Sequence, residues 1–237
     1  MRRISIVMPV LDEAQRIGAA LDALAEPRRR GHEVIVVDGG SRDASMRIAR
    51  AKADSVIAAP RGRASQMNAG ARAASGEVLL FLHADTLLPG DAERAVLAGL
   101  DASGRAWGRF DVRIDGASAW LAVVAWGMNL RSRATGIATG DQAMFMRREA
   151  YASAGGFPDI ALMEDVAMSA RLKRLSPPLC LRETVVTSGR RWDEQGALRT
   201  IARMWWLRLR YFLGAEPSSL ARSYESGPRR KDAAGGD

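Results

Sequence analysis

Through its first hundred residues the chain alternates short aliphatic runs with segments of helical periodicity, and the aliphatic runs break off at polar loops. Ile4 to Val10 is largely apolar and leads into Asp12-Glu13; Ala14 to Leu24 then places Ile17, Leu21 and Leu24 at helical spacing. Glu33 to Val37 is a second run, ending at Asp38-Gly39-Gly40-Ser41, and Ser41 or Asp43 is placed to cap a helix near Ala44 to Ala51. Ser55 to Ala58, a small-residue helix Gln66 to Ala74, Val78 to Leu82 and a helix Asp91 to Leu100 complete the series. Aliphatic runs separated by helices specify a parallel sheet covered on both faces. The expected fold class is α/β, a mostly parallel sheet flanked by helices. Such sheets bind ligands beyond the carboxyl ends of their strands. The polar clusters Asp12-Glu13, Asp38 and His83-Ala84-Asp85 fall there.

Beyond Trp107 the rhythm changes. Gly108, Phe110, Val112 and Ile114 alternate with Trp107, Arg109, Asp111 and Arg113, the pattern of a half-exposed strand. Ala119 to Trp126 is an apolar helical run, Ala143 to Met146 a short strand, and a helix is expected to begin near Glu164 after Gly155-Gly156-Phe157-Pro158. The last ordered element expected is Leu198 to Leu213. There Arg199, Arg203 and Arg210 form a narrow stripe, Leu198, Ile201, Trp205, Trp206, Leu209 and Phe212 fill much of the rest, and Arg208 falls at the edge of the apolar face. Burial against its own domain or a second subunit is the expectation for so apolar a helix, with interfacial membrane contact the sharper alternative. From Gly227 the composition reads as a disordered basic tail.

Charge and cysteine content narrow the partners. With 35 Lys and Arg against 27 acids the formal net charge is +8, which suits nucleic acid, an anionic membrane or a phosphate-rich substrate. No helix-turn-helix, zinc or RNA-binding signature accompanies that charge, so nucleic acid is not the expected partner. The single cysteine, Cys180, lies in the apolar run Leu179-Cys180-Leu181 and is read as a buried thiol in a reducing compartment. The N-terminal apolar run is short and soon acidic, unlike a secretory signal, and no stretch reaches the ~20 apolar residues of a membrane span. The expected location is the cytoplasm.

Five small constellations can carry chemistry. Asp85 offers a hard oxygen ligand to Mg²⁺ or Mn²⁺, and His83, two residues before it on the same side of a strand, can join it or simply bond the backbone. Acidic clusters on one sheet edge crowd negative charge into one crevice, which a divalent cation with a diphosphate would relieve. Arg61-Gly62-Arg63, followed by Gln66, Asn68 and Gly70, is either a loop feeding an anion-binding helix N-terminus or a solvated basic loop. In Met163-Glu164-Asp165 the carboxylates serve the helix dipole or a general base. Arg190-Arg191-Trp192 reads equally as a phosphate clamp beside a packed ring or as a surface turn.

Taken in order, these segments resemble glycosyltransferase family 2, whose members have the Rossmann-like GT-A fold. Ile6-Val7-Met8-Pro9-Val10-Leu11-Asp12-Glu13 resembles the family's opening strand and loop, and Val36 to Asp43 its second nucleotide-binding strand. Leu82-His83-Ala84-Asp85 stands where the family has its Asp-x-Asp metal motif, with His83 in place of the first Asp. Gly155-Gly156-Phe157 through Glu164-Asp165 resembles the acceptor segment that ends in the catalytic-base motif, and Arg190-Arg191-Trp192 the late Arg/Gln-rich motif. The resemblance implies that Asp38 binds the base of a nucleotide and Glu13 its ribose, in a donor site that also takes in Pro9, Asp12, Arg61, Arg63, Asn68, Asp85, Arg190, Arg191 and Trp192. It implies a metal at Asp85, with His83, and an inverting displacement with Asp165, beside Glu164, as the base.

The expected layout is a transferase domain over residues 1–192, with a nucleotide half to about 105 and an acceptor half over 106–192, followed by a helical extension over 193–226 and a tail over 227–237. UDP is the preferred carrier, since uracil offers an N–H to a carboxylate. Leu82-His83-Ala84-Asp85-Thr86, Met163-Glu164-Asp165 and Arg190-Arg191-Trp192 further resemble a subgroup associated with arsenosugar biosynthesis and the selenosugar synthases of selenoneine pathways, which makes selenophosphate the preferred acceptor. Transfer to a lipid phosphate at a membrane surface, a nucleotidyltransferase and a basic nucleic-acid-binding domain are the competing readings, and a homodimer is an open alternative.

Overall fold

The structure, a computed structural model, describes residues 2–225; the expected tail from Gly227 lies outside them. Strands β1 (Ile4–Val10), β2 (Glu33–Asp38), β3 (Ser55–Ala58), β4 (Val78–Phe81), β5 (Thr86–Leu87), β6 (Trp107–Asp115), β7 (Phe145–Arg147) and β8 (Leu179–Ser188) form one sheet in the order β3-β2-β1-β4-β7-β6-β8-β5. The helices are α1 (Ala14–Ala23), α2 (Ala25–Arg29), α3 (Ser45–Lys52), α4 (Arg63–Ala73), α5 (Ala92–Ser103), α6 (Trp120–Thr135) and α7 (Arg148–Ser153). They continue with α8 (Glu164–Leu172), α9 (Arg190–Gln195), α10 (Ala197–Phe212) and α11 (Pro217–Glu225). Pairing is parallel from β3 through β2 and β1 to β4, and again between β6 and β8; β7 joins the two blocks in antiparallel fashion, and β5 closes the far edge.

The parallel block is aliphatic on both faces because both are covered. Ile4, Ile6 and Met8 of β1 pack with Ile17 and Leu21 of α1 and with Val96 and Leu100 of α5. On the opposite face Val7 packs with Met67 and Ala71 of α4 and Met168 and Leu172 of α8. Pro9 sits in this central strand without cost to the ladder. Val7 O, on the same edge, accepts from Leu82 N–H, and β4 has ended by the time the chain reaches Pro9. Gly70 of α4 touches β1 and β2: a Cβ there would overlap Val7 Cγ1 and lie 2.9 Å from Val37 Cγ2.

The opposite end of the sheet is held by one buried carboxylate. Glu33 Oε1 accepts from Ser5 Oγ, from Ser75 N–H at 2.6 Å and Oγ at 2.8 Å, and from Gly76 N–H at 3.1 Å.

Several expectations need correction. His83 and Asp85 lie in the turn between β4 and β5, not on a strand, because β4 stops at Phe81. The strand from Trp107 is half-exposed only in its second part; Trp107 and Arg109 are fully buried, since β7 and β8 flank it and helices cover it. β8 was visible only as Leu179-Cys180-Leu181, because its middle, Arg182-Glu183-Thr184, is exposed and polar. Cys180 is half-buried, not buried. Helix α4 starts at Arg63, ahead of the expected Gln66.

The C-terminal helix also departs from expectation. Leu207 of α10 and Leu220 of α11 pack with Met163 and Val166, and Arg203 donates to the carbonyls of Ser223 and Tyr224, bracing α11 against α10. Trp205, Trp206, Leu209 and Phe212 point outward, Trp205 being 70% exposed. The apolar set covers more of the helix than its neighbours can shield. Trp120, Val123, Trp126 and Leu130 of α6 are exposed as well. Among the described residues no helix is long and apolar enough to cross a membrane.

Replacing Gly70 with Ala is expected to cost about 1–3 kcal/mol through overpacking, measured by denaturant unfolding. Glu33→Gln tests the carboxylate. Burial pushes the Glu33 carboxyl up, but its bonds from Ser5 and Ser75 and the nearby Arg3 outweigh this and hold it below the usual 4.5. Its contribution is therefore complete above about pH 4.5 and lost as pH falls through the depressed value. The melting-temperature gap between wild type and Glu33→Gln should be wide at pH 7 and close towards pH 3.

Candidate active site

The loops at the carboxyl ends of β1 and β2 are knitted together by short polar side chains. Asp12 takes a left-handed conformation at φ 54°, its N–H donates to Ser41 Oγ at 2.9 Å, and its Oδ1 accepts from Arg42 N–H at 2.7 Å. Glu13 N–H donates to Ser45 Oγ, and Ala14 N–H to Asp43 Oδ2. Ser41 and Asp43, expected at the start of α3, thus also satisfy donors where α1 begins. Asp38, 5% exposed, accepts from the N–H groups of Gly40 and Ser41 at 3.0–3.2 Å, which fixes its carboxylate at the mouth of the β1–β2 cleft. Buried Gln66 donates its amide to Val10 O and Val37 O, both at 2.8 Å, clamping the two strand ends.

Beside this cleft the later segments supply charge. Asp165 Oδ2 accepts from Gly140 N–H at 2.8 Å, and Gly140 lies so close under the His83 ring that a Cβ would come 2.6 Å from it. The His83 Nδ1 is 3.5 Å from Asp141 Oδ1, and Arg63 Nη1 is 4.0 Å from Glu164 Oε1. Glu164, Asp165, His83 and Gly140 line a cavity of about 10 Å³ with Met67, Phe81, Met144 and Phe157, room for one water at the crevice floor. Burial, reinforced by Asp165 and only partly offset by Arg63, pushes the Glu164 carboxyl up to about 6. Desolvation lowers the Arg63 guanidinium, but Glu164, Asp141, Asp165 and Asp85 together raise it. One arginine, half-exposed at the start of α4, therefore feels all four carboxylates. Met163, in the left-handed conformation at φ 70°, turns the chain so that α8 opens on Glu164 and Asp165.

Among the described residues no group of three or more His, Cys, Asp or Glu side chains is arranged to hold a metal ion. The donor set instead suits a cation shared with a ligand. Asp85 is half-buried, its Oδ1 accepting from Thr86 Oγ1 at 3.4 Å, and a single carboxylate plus phosphate oxygens is a common environment for Mg²⁺. A bound cation would offset charge gathering on a departing diphosphate.

Other candidates stand differently. Arg61 is exposed on the loop before α4. Asn68 is occupied by the fold: its amide donates to Phe157 O and its carbonyl accepts from Tyr151 Oη and Phe157 N–H, pinning the Gly155-Gly156-Phe157 loop to α4. Arg190 opens α9, its N–H on Ser188 Oγ at 3.3 Å. The Trp192 ring joins Ile114, Leu121 and Ala125 in a small apolar cluster, and the Arg191 side chain lies outside the described part. Gly140 and Asp141 carried no signal in the sequence, because their place under His83 and beside Asp165 depends on long-range packing.

Residues 5–154 match the model of glycosyl transferase family 2, and the chain belongs to that family. No curated protein matches it. Among solved structures, residues 1-349 of S. aureus TarS superpose with a TM-score of 0.63 at 18% identity, covering 80% of this chain and 61% of that one. A mannosyltransferase from Pyrobaculum calidifontis, in complex with GDP-Man and Mn²⁺, gives 0.60 at 22% identity, covering 78% and 56%. Glucosyl-3-phosphoglycerate synthase from Mycobacterium tuberculosis, with Mn²⁺, UDP and glucosyl-3-phosphoglycerate, gives 0.54 at 20%, covering 77% and 70%. These likenesses establish the shared GT-A fold. The chain spans about three fifths of the TarS structure's length.

The raised Glu164 value makes a prediction of definite sign. Between about pH 4.5 and 6 the folded protein keeps a proton there that the unfolded chain has lost, so stability falls as pH rises through that window. Glu164→Gln should therefore be more stable than wild type at pH 8 by roughly 2 kcal/mol, with the difference closing at pH 4.5. Thermal unfolding across pH checks this.

Proposed function

We propose that this protein is an inverting glycosyltransferase that moves a sugar from a UDP-sugar to a small anionic nucleophile with the help of Mg²⁺ or Mn²⁺. The observation that carries the reading is that the charges of Asp85, Glu164 and Asp165 all act on Arg63, on the helix whose Gln66 clamps the ends of β1 and β2 and whose Met67 lines a cavity with Glu164 and Asp165. In this arrangement Asp38 and Glu13 receive the nucleoside, Asp85 and Arg63 face the diphosphate, and Asp165 orients or deprotonates the acceptor on the opposite side of the sugar. Gly140 N–H holds the Asp165 carboxylate in place for that role. Residues 1–192 form the transferase unit, and the helices after it complete the acceptor side. A reducing, cytoplasmic setting suits the single thiol.

Selenophosphate is the preferred acceptor, on the resemblance to selenosugar synthases. Its selenium forms the bond to the anomeric carbon as the carbon–oxygen bond to UDP breaks; water then attacks phosphorus and releases inorganic phosphate, leaving the selenosugar. A second reading, transfer to a lipid phosphate, is favoured by the exposed tryptophans of α6 and α10. Co-flotation with anionic vesicles tests it, and a protein left in the soluble fraction argues against it.

A thermal-shift panel of nucleoside diphosphates with and without Mn²⁺ tests the donor. UDP with Mn²⁺ should stabilise the wild type, and Asp85→Ala should lose that shift. Asp165→Asn should retain it while turnover, read as UDP release, drops by about 10²–10⁴-fold. Loss of UDP binding in Asp165→Asn would overturn the base assignment. Release of pyrophosphate instead of UDP would point to nucleotidyl transfer.

A further inference from the structure

Among the described residues, four side-chain atoms are shielded from solvent yet lack a hydrogen-bond partner: Glu93 Oε2, Arg131 Nε and Nη2, and Arg208 Nε. Glu93 is already paired through its other oxygen with Arg30. The other three belong to two arginines on helices that pack together, Arg131 of α6 and Arg208 of α10. Burial, followed by the charge of Arg208, pulls Arg131 down to about 10, with Asp165 only partly restoring it. Arg208 is lowered by burial against the pull of Asp165 and Asp141. Two shielded guanidinium groups that repel each other, with N–H donors left over, make an arrangement that an oxyanion would complete.

Packing places this pair next to Asp165. Leu207, the neighbour of Arg208, is buried against Met163 and Val166, which bracket Glu164-Asp165. On α6, Asn129 Oδ1 accepts from Gln142 Nε2 at 3.3 Å, tying that helix to the turn whose Gly140 N–H holds Asp165. The pair also stands apart from the donor edge. Arg63 interacts with Asp85 and Glu164 as well as Asp165, whereas Arg131 shares only Asp165 with it and Arg208 only Asp165 and Asp141.

We propose that Arg131 and Arg208 bind the phosphate-type oxyanion of the acceptor, beyond Asp165 from the nucleotide, a role that rests on the transferase reading above. The anion would replace the missing hydrogen-bond acceptors and hold the attacking atom beside the carboxylate. The chemistry is common to a free phosphate-type acceptor and to the headgroup of a lipid phosphate.

The test uses the full chain, with Arg208→Met and Arg131→Gln, in thermal-shift titrations with inorganic phosphate and thiophosphate. Parallel flotation uses phosphatidic acid vesicles against neutral phosphatidylcholine vesicles. Wild type should be stabilised by the anions, and each substitution should weaken that response by about tenfold or more. The anion-free variants should melt no lower than wild type, because a buried unpaired charge is removed; a structural role would lower both. Flotation on phosphatidic acid alone, lost in the variants and without a response to free anions, assigns the subsite to a lipid headgroup. The proposal is overturned if wild type responds to neither source, if the variants respond like wild type, if they melt lower, or if they lose the UDP–Mn²⁺ shift, which would place the pair on the donor. A wild type with no UDP–Mn²⁺ shift at all would instead sink the transferase reading itself.

Discussion

Carboxylates gathered at one edge of a sheet repel one another, and the rest of this molecule is arranged around that repulsion. Asp85, Asp141, Glu164 and Asp165 all act on Arg63, and the burial of Glu164 beside Asp165 is severe enough to move its titration towards neutrality. Water does little to dissipate the field around Glu164 and Asp165, which line a floor that admits about one molecule. Fixed N–H groups and arginines do so instead: Gly140 on Asp165, Gly40 and Ser41 on Asp38, Arg63 at the entrance. Such a site is poised for a ligand that brings both a cation and anionic groups, as a nucleoside diphosphate with a metal does.

The backbone gives way at the same places. Three non-glycine residues, Asp12, Ala143 and Met163, take positive φ among the described residues, and all three lie in loops that shape this crevice. Strain of this kind persists only where neighbours over-determine it. Asp12 is fixed from both sides by Ser41 and Arg42, Ala143 closes the turn that begins at Gly140, and Met163 is buried between α8 and α10.

Much of the fold was legible in the sequence because three of its first four strands, β1, β2 and β4, are buried on both faces, and continuous aliphatic runs broken by polar loops have few other readings. The loops bearing Asp38 and Asp85 could be placed at one edge for the same reason. The second half resisted. β8 hides behind exposed Arg182-Glu183-Thr184, and β6 changes from two-sided to one-sided burial midway. The outward turn of the α10 tryptophans was hidden because a helical wheel shows how broad an apolar face is, not which part of it meets a neighbour. Asn68 shows the limit for single residues: an amide near a basic loop reads the same whether it meets a ligand or, as here, Phe157 and Tyr151. Arg131 and Arg208 belong together only in space. Of the two, Arg208 alone left a trace, as a charge at the margin of an apolar stripe.

The stretch that matches the family model stops at residue 154, ahead of α8 and well ahead of α10. The chain beyond that point packs α10 and α11 onto the start of α8 through Met163, Val166, Leu207 and Leu220, and Ile137 of the matched stretch lies against the same cluster. A change confined to α10 or α11 therefore alters what lies against Met163, the left-handed residue that aims Glu164 and Asp165, without touching any strand of the sheet.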